Sequence, residues 1–176
     1  MARRVGIYPG TFDPIHHGHI AFAEEAVRSC GLHSVVFLAE PAPRGKECTA
    51  TLAERTEHIH AAIVDHPDLG TLSVQSERFT IGQTLPQIRA AFDDADLAFL
   101  IGSDVLFGLQ HWDNLKELVA STRIIIGLRS DCTKEMVDME IKTIEALLDT
   151  SVRYCVIETD HRHVSSTQIK RLSGVI

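Results

Sequence analysis

Residues 4–20 read Arg4-Val-Gly-Ile-Tyr-Pro-Gly-Thr-Phe-Asp-Pro-Ile-His-His-Gly-His-Ile20. A short apolar strand, Arg4 to Tyr8, runs into a Pro/Gly turn. The turn delivers His16 and His19 to the first turn of a helix that starts near Gly18. A helix start carries free backbone N–H groups and the positive end of the helix dipole, a natural seat for phosphate. Two histidines three residues apart face one side of that turn, and both can donate to phosphate oxygens. Gly18 between them lets a nucleotide approach the backbone closely.

Outward from this stretch, strand-like and helix-like patterns alternate. In the helix from Gly18 to about Cys30, the residues Ile20, Ala23, Val27 and Cys30 recur at helical spacing, and Gly31 is a stop. Ser34–Leu38 is a second buried strand. Thr51-Leu-Ala-Glu54 fits a capping box, with Leu52, Thr56, Ile59 and Ile63 on one helix face. Leu72–Gln75 is expected as a third strand. A helix over 83–92 follows, with Pro86 tolerable only in its first turn. Leu97–Ile101, Arg123–Leu128 and Arg153–Ile157 are expected strands; Asn114–Ala120 and Thr133–Leu148 are expected helices. A last short helix begins near Ser165–Thr167. Short strands apolar on both faces, with helices between them, predict an α/β fold. It is a doubly wound, Rossmann-like parallel sheet with helices on both faces, in one domain spanning 1–176.

Ligands in such sheets bind beyond the carboxyl ends of the strands. The polar motifs all fall there: Gly10–His19, Pro41–Lys46, Gly102–Asp104 and Ser165–Lys170. In the last, hydroxyls and N–H groups at a helix start can wrap a triphosphate, and Lys170 adds charge one turn later.

The bulk numbers narrow the classes. The 176 residues suit one core, and 44% hydrophobic with 23% charged is ordinary for a globular protein. A net charge of −7 with no Lys/Arg block argues against nucleic acid. No apolar run approaches the ~18 residues of a membrane span, and the apolar N-terminal strand breaks at Pro9, too short for a signal peptide. Cys30, Cys48, Cys132 and Cys155 form no CxxC pair and read as reduced thiols of a cytoplasmic protein. His58 and His60 sit two apart on a helix and cannot chelate together. His161 and His163 have no Cys or carboxylate at ligand spacing, so no metal site is expected.

The run Gly10–His19 resembles the GTFDPxHxGH signature of the HxGH nucleotidyltransferases. These enzymes join a nucleotide's phosphate to ATP or CTP and release pyrophosphate. Ser165–Lys170 resembles their SSTxIR motif, with Lys170 where Arg is usual, which keeps the charge and loses the two-pronged geometry. Gly102-Ser-Asp104 with Trp112 resembles a GxD…W segment. Phe79–Leu85 resembles YTxDTL with an extra residue and no Asp. Pro41–Lys46 resembles a Pro-Pro-His-Lys loop with Arg44 intruding.

The resemblance implies His16, His19 and Lys46 as catalytic. It implies an ATP site at Gly10, Thr11, Phe12, Gly18, Gly102, Asp104, Ser165, Ser166, Thr167 and Lys170. The second substrate would meet Thr84, Trp112 and Arg44, with either Arg44 or Lys46 facing its phosphate. The most similar branch makes a dinucleotide from ATP and nicotinate (or nicotinamide) mononucleotide in NAD synthesis. Its partners would be ATP, carrying Mg²⁺, and a pyridine mononucleotide, with a homo-oligomer possible.

Phosphopantetheine adenylyltransferases share the YPG-T/S-FDP start but usually read Thr-x-Gly-His and carry a DFEYE-like run, absent here. The RTEGIST motif of cytidylyltransferases is absent too. A nucleotide-binding module without turnover is opposed by the intact histidine pair. A fragment of a class I aminoacyl-tRNA synthetase is opposed by the acidic charge and the lack of a KMSKS-like run. Six residues follow Lys170, where the nicotinate enzymes commonly continue through another helical segment.

Overall fold

A computed structural model describes residues 2–42 and 48–158. The strands are β1 (Arg4–Gly10), β2 (Ser34–Ala39), β3 (Leu69–Thr71), β4 (Asp96–Gly102), β5 (Arg123–Gly127) and β6 (Tyr154–Ile157). The helices are α1 (His17–Cys30), α2 (Leu52–Ala62), α3 (Ile81–Ala91), α4 (Ser103–Leu106), α5 (Leu115–Ser121) and α6 (Lys134–Leu148). All strand pairs are parallel, in the order β3-β2-β1-β4-β5-β6. The chain turns back between β1 and β4, which makes the crevice above those two strands the switch point of a doubly wound sheet.

Period-two alternation decides which helices each strand residue meets. Val5 and Ile7 of β1, Leu97, Phe99 and Ile101 of β4, and Ile124 and Ile126 of β5 face α3, α5 and α6. Tyr8, Phe37, Ala98, Leu100 and Ile125 face the other way, onto α1 and α2. Strands wholly buried in this manner read as continuous apolar runs, and for that reason their existence was plain in the sequence.

Two expectations are corrected. The third strand is Leu69–Thr71, not Leu72–Gln75. Its ladder ends when Leu72 N–H donates to Phe37 O at 2.9 Å. Past that point the Gln87 side chain takes both backbone groups of Gln75, accepting from its N–H at 2.7 Å and donating to its carbonyl at 3.2 Å. The Leu72/Val74 alternation reflects packing against the core rather than strand pairing. Helix α3 starts at Ile81 because the Thr80 hydroxyl accepts the Gln83 N–H. Pro86 therefore lies inside the helix, beyond its first turn.

The four cysteines are free thiols. Cys30 and Cys155 nevertheless meet where α1 ends beside β6, with Cys30 Sγ donating to Cys155 Sγ at 2.8 Å. Burial, reinforced by that contact, pushes the Cys30 thiol up to about 12. No helix among the described residues is long and apolar enough to cross a membrane.

Gly127 lets α1 lie close against the sheet. A Cβ there would stand 2.9 Å from Phe22 Cε2 and 3.0 Å from its Cζ, and Phe22 is buried on α1. Gly127→Ala is expected to destabilise the fold by about 1–3 kcal/mol through overpacking. The measurement is a urea unfolding curve with a lower midpoint and unchanged slope. A midpoint equal to wild type would mean that Phe22 turns aside at no cost.

Candidate functional site

The carboxyl ends of β1 and β2 lie in register, Gly10 beside Ala39, as do those of β4 and β5, Gly102 beside Gly127. The loop leaving β1 is shaped by Phe12, whose φ of 48° is left-handed. A Cβ on Gly10 would collide with the Phe12 ring at 2.8 Å, so only glycine admits that ring. Phe12 is 2% exposed. It stands edge-on to Tyr8 at 5.2 Å, to Phe37 at 5.3 Å (centroid distances here and below) and to His19 at 5.1 Å. Its side chain therefore contributes packing that holds His19. Asp13, also buried, accepts from Thr49 N–H at 2.6 Å and from Thr49 Oγ1 at 3.1 Å, which ties this loop to the segment before α2.

The histidine pair sits at the start of α1, with His16 at the N-cap and Gly18 in the first turn. The two rings are stacked, 3.6 Å between centroids and 23° between planes. His19 Nδ1 accepts the His16 backbone N–H at 3.3 Å, which leaves the ring proton on Nε2 as a donor. His16 is 8% exposed. Neither of its ring nitrogens has a hydrogen-bond partner among the described residues. Burial lowers its pKa from 6.5 to about 4, with help from the charge of Arg129 and from His17, so the ring is neutral at pH 7. Leaving a buried polar atom unpaired costs about 1–3 kcal/mol, a deficit that a bound ligand removes. Burial holds Tyr8, which packs against His19, well above the usual phenol range.

Gly102 ends β4 and caps the short α4. Ser103 is buried, and its Oγ accepts the Arg129 N–H at 3.0 Å. Asp104 is exposed, and Arg129 Nε donates to its Oδ1 at 3.4 Å. A Cβ on Gly102 would lie 2.2 Å from that same Oδ1. Glycine thus leaves room for the carboxylate beside the guanidinium.

The remaining predicted residues divide three ways. Trp112 follows the turn Leu109–His111, is half-buried, and meets Phe79 edge-on at 5.8 Å. Thr84 is wholly buried, and its hydroxyl accepts the Thr80 N–H at 3.2 Å, so the structure does not bring that side chain to an open surface. Arg44, Lys46, His161, His163, Ser165, Ser166, Thr167 and Lys170 lie outside the described residues. Of the other histidines considered for metal, His60 instead bonds Thr71 Oγ1 at 2.6 Å. No cluster of three or more His, Cys, Asp or Glu among the described residues is placed to hold a metal ion.

Sequence reasoning missed two cations. Arg129 follows β5, and the same carboxyl-end rule that selected Gly102 would have found it. Arg55 falls on the inward face of α2 with Ile59 and is 1% exposed. A charged residue at an apolar position was the available signal.

The sequence pattern of the cytidylyltransferase-like family matches residues 7–172. The protein named "Probable nicotinate-nucleotide adenylyltransferase" in Neisseria gonorrhoeae (strain NCCP11945) is 31% identical over 175 residues, covering 96% of this chain and 86% of that protein. One of the same name in Dictyoglomus turgidum is 33% identical over 148 residues, covering 81% and 72%. Among solved structures, Plasmodium falciparum nicotinic acid mononucleotide adenylyltransferase complexed with NaAD superposes with a TM-score of 0.77. It is 16% identical, over 96% of this chain and 83% of that one, a likeness of fold.

The depressed His16 titration has a measurable sign. Between pH 6.5, where the unfolded histidine titrates, and about 4, where the folded one does, the unfolded chain binds more protons. His16 is thus expected to make stability fall as pH drops through that window, at up to about 1.4 kcal/mol per unit. The slope should be shallower in His16→Asn. Chemical unfolding at several pH values checks this, and parallel profiles for the two proteins would show that folding does not keep His16 neutral.

Proposed function

The chain belongs to the cytidylyltransferase-like family, among the nicotinate-nucleotide adenylyltransferases, and we propose that it joins the adenylyl group of ATP to a pyridine mononucleotide and releases pyrophosphate. The observation that carries this reading is the stacked histidine pair at the start of α1, with the buried nitrogens of His16 unpartnered among the described residues.

The chemistry asks little of the protein beyond placement. A phosphate oxygen of the mononucleotide attacks the α-phosphorus of ATP, the bond from that phosphorus to the β-phosphate oxygen breaks, and pyrophosphate departs with the electron pair. The nucleophile is already anionic at pH 7, so no general base is needed. The work is alignment and neutralisation of charge on the transferring and leaving groups. Neutral His16 supplies one N–H donor, and His19 supplies Nε2–H. Both sit where backbone N–H groups and the helix dipole favour an anion. Arg129, close enough to bias His16, adds a fixed cation at the neighbouring strand end.

A divalent cation, Mg²⁺ in this proposal, enters on the triphosphate as part of the substrate and is coordinated largely by phosphate oxygens and water. The sequence motif Ser165–Lys170 supports a triphosphate contact, and the sequence around Lys46 and Arg44 supports a phosphate contact by one of those two residues. Trp112, half-exposed past β4, suits a stacking partner for the pyridine ring.

The test is pyrophosphate release from ATP with nicotinate mononucleotide, nicotinamide mononucleotide, phosphopantetheine and glycerol 3-phosphate. Turnover with a pyridine mononucleotide, together with quenching of the single tryptophan, Trp112, by that substrate, is expected. Efficient use of phosphopantetheine instead would leave the family and remove this substrate. In the productive assay, His19→Ala should lower kcat by about 10²-fold or more, the scale of losing one preorganised donor, while changing the KM for ATP less. A near-wild-type kcat would remove His19 from the mechanism.

A further inference from the structure

We propose that Arg55 is a positioning residue for this transfer, holding the phosphate-facing loop in its reactive shape from behind. Its side chain is the largest of those that are fully buried, at 1% exposed, although α2 is exposed over much of its surface. Nη1 donates to Thr11 O at 2.7 Å, and Nη2 donates to Glu40 O at 2.9 Å and Pro41 O at 3.4 Å. One planar fork thus joins the loop leaving β1, which carries His16, to the residues Glu40 and Pro41 that leave β2.

Stability alone is a poor reason for such a group. Arg55 is in none of the ion pairs among the described residues, and its buried Nε–H has no partner among them. A desolvated cation held only by neutral oxygens is costly, and well-packed apolar residues usually serve a core better.

What the guanidinium does supply is orientation. Drawing the Thr11 carbonyl toward α2 directs the Phe12 N–H of the same trans peptide the opposite way. It does so at the residue whose left-handed φ begins the approach to His16. Phe12 in turn packs edge-on against His19. The path from Arg55 to the imidazoles is therefore Thr11 carbonyl, Phe12 ring, His19. A lysine has charge enough for the site but a single point of donation, and cannot span both loops as a fork does.

The inference rests on the adenylyltransferase reading, and the wild-type enzyme separates the two. A wild type that releases no pyrophosphate with any mononucleotide ends that reading and this inference with it. With an active wild type, Arg55→Lys and Arg55→Ala are compared by steady-state kinetics, thermal melting and rescue with low-millimolar guanidinium chloride against potassium chloride. Arg55→Lys is expected to stay folded while kcat falls about tenfold or more, the scale of slight misplacement of reacting groups, with the KM for ATP changing less. Guanidinium should restore part of kcat in Arg55→Ala and none in wild type. Folded Arg55→Lys with kcat close to that of wild type would overturn the proposal. So would a rate loss in Arg55→Ala that merely tracks its loss of folded protein and ignores guanidinium. Should Arg55→Ala fail to fold, Arg55→Lys decides.

Discussion

Desolvation of the His16 imidazole is the constraint around which the carboxyl edge of the sheet is arranged. In water this ring titrates near neutrality; here burial and the nearby Arg129 keep it uncharged. Two stacked rings 3.6 Å apart would repel strongly if both were cations in a poorly solvated place. Neutrality permits the stack, and the stack keeps two N–H donors side by side. The cost is a pair of buried ring nitrogens without partners among the described residues; a phosphate oxygen can accept from the one that carries the proton. Folding and ligand binding are thereby coupled through one side chain.

The rest of the fold serves to hold that arrangement still. Phe12 and Tyr8 form an aromatic floor under His19, with Phe22 and Phe37 packed against Tyr8. Gly10 makes room for Phe12, and Gly127 makes room for Phe22, so α1 lies tight on the sheet with its N-terminus at the switch point. Cations are then placed at two depths. Arg129 lies beside Asp104 at the strand ends, partly open to solvent. Arg55 lies beneath the loops, closed off, with its hydrogen bonds spent on carbonyls. An acidic protein of net charge −7 handles polyanions by concentrating positive charge locally rather than by overall attraction.

The places where sequence reading went astray share a cause. Leu72–Gln75 alternates like a strand, but alternation reports burial of one face and does not say whether a partner strand or a glutamine side chain takes the backbone hydrogen bonds. Proline is cheapest in a first helical turn, but the Thr80 cap starts the helix at Ile81 and leaves Pro86 inside it. Thr84 and Phe12 stand in motif positions; the structure turns the Thr84 hydroxyl toward Thr80 N–H and packs the Phe12 ring in the core. A charged residue on a helix is usually solvated; only the approach of two segments from elsewhere in the chain supplies the carbonyls that make the burial of Arg55 tolerable.

By itself the sequence determined the alternating α/β architecture, the parallel sheet, the strand-to-helix turn at residues 10–19 and the chemistry of its histidines. All of these follow from local periodicity, from turn residues and from short-range spacing, which act within one or two elements. Tertiary structure decided the strand order. It also decided that the His16 ring is neutral and stacked on His19, that Arg129 stands near enough to bias it, and that Arg55 braces the loop from behind. Arg55 is 44 positions from Thr11 and 15 from Glu40, and Arg129 lies on a different strand end from His16; the outcome depends on exclusion of water and on which backbone carbonyls happen to meet. No local pattern encodes them, because desolvation and long-range hydrogen bonding exist only once the sheet has brought its carboxyl ends together.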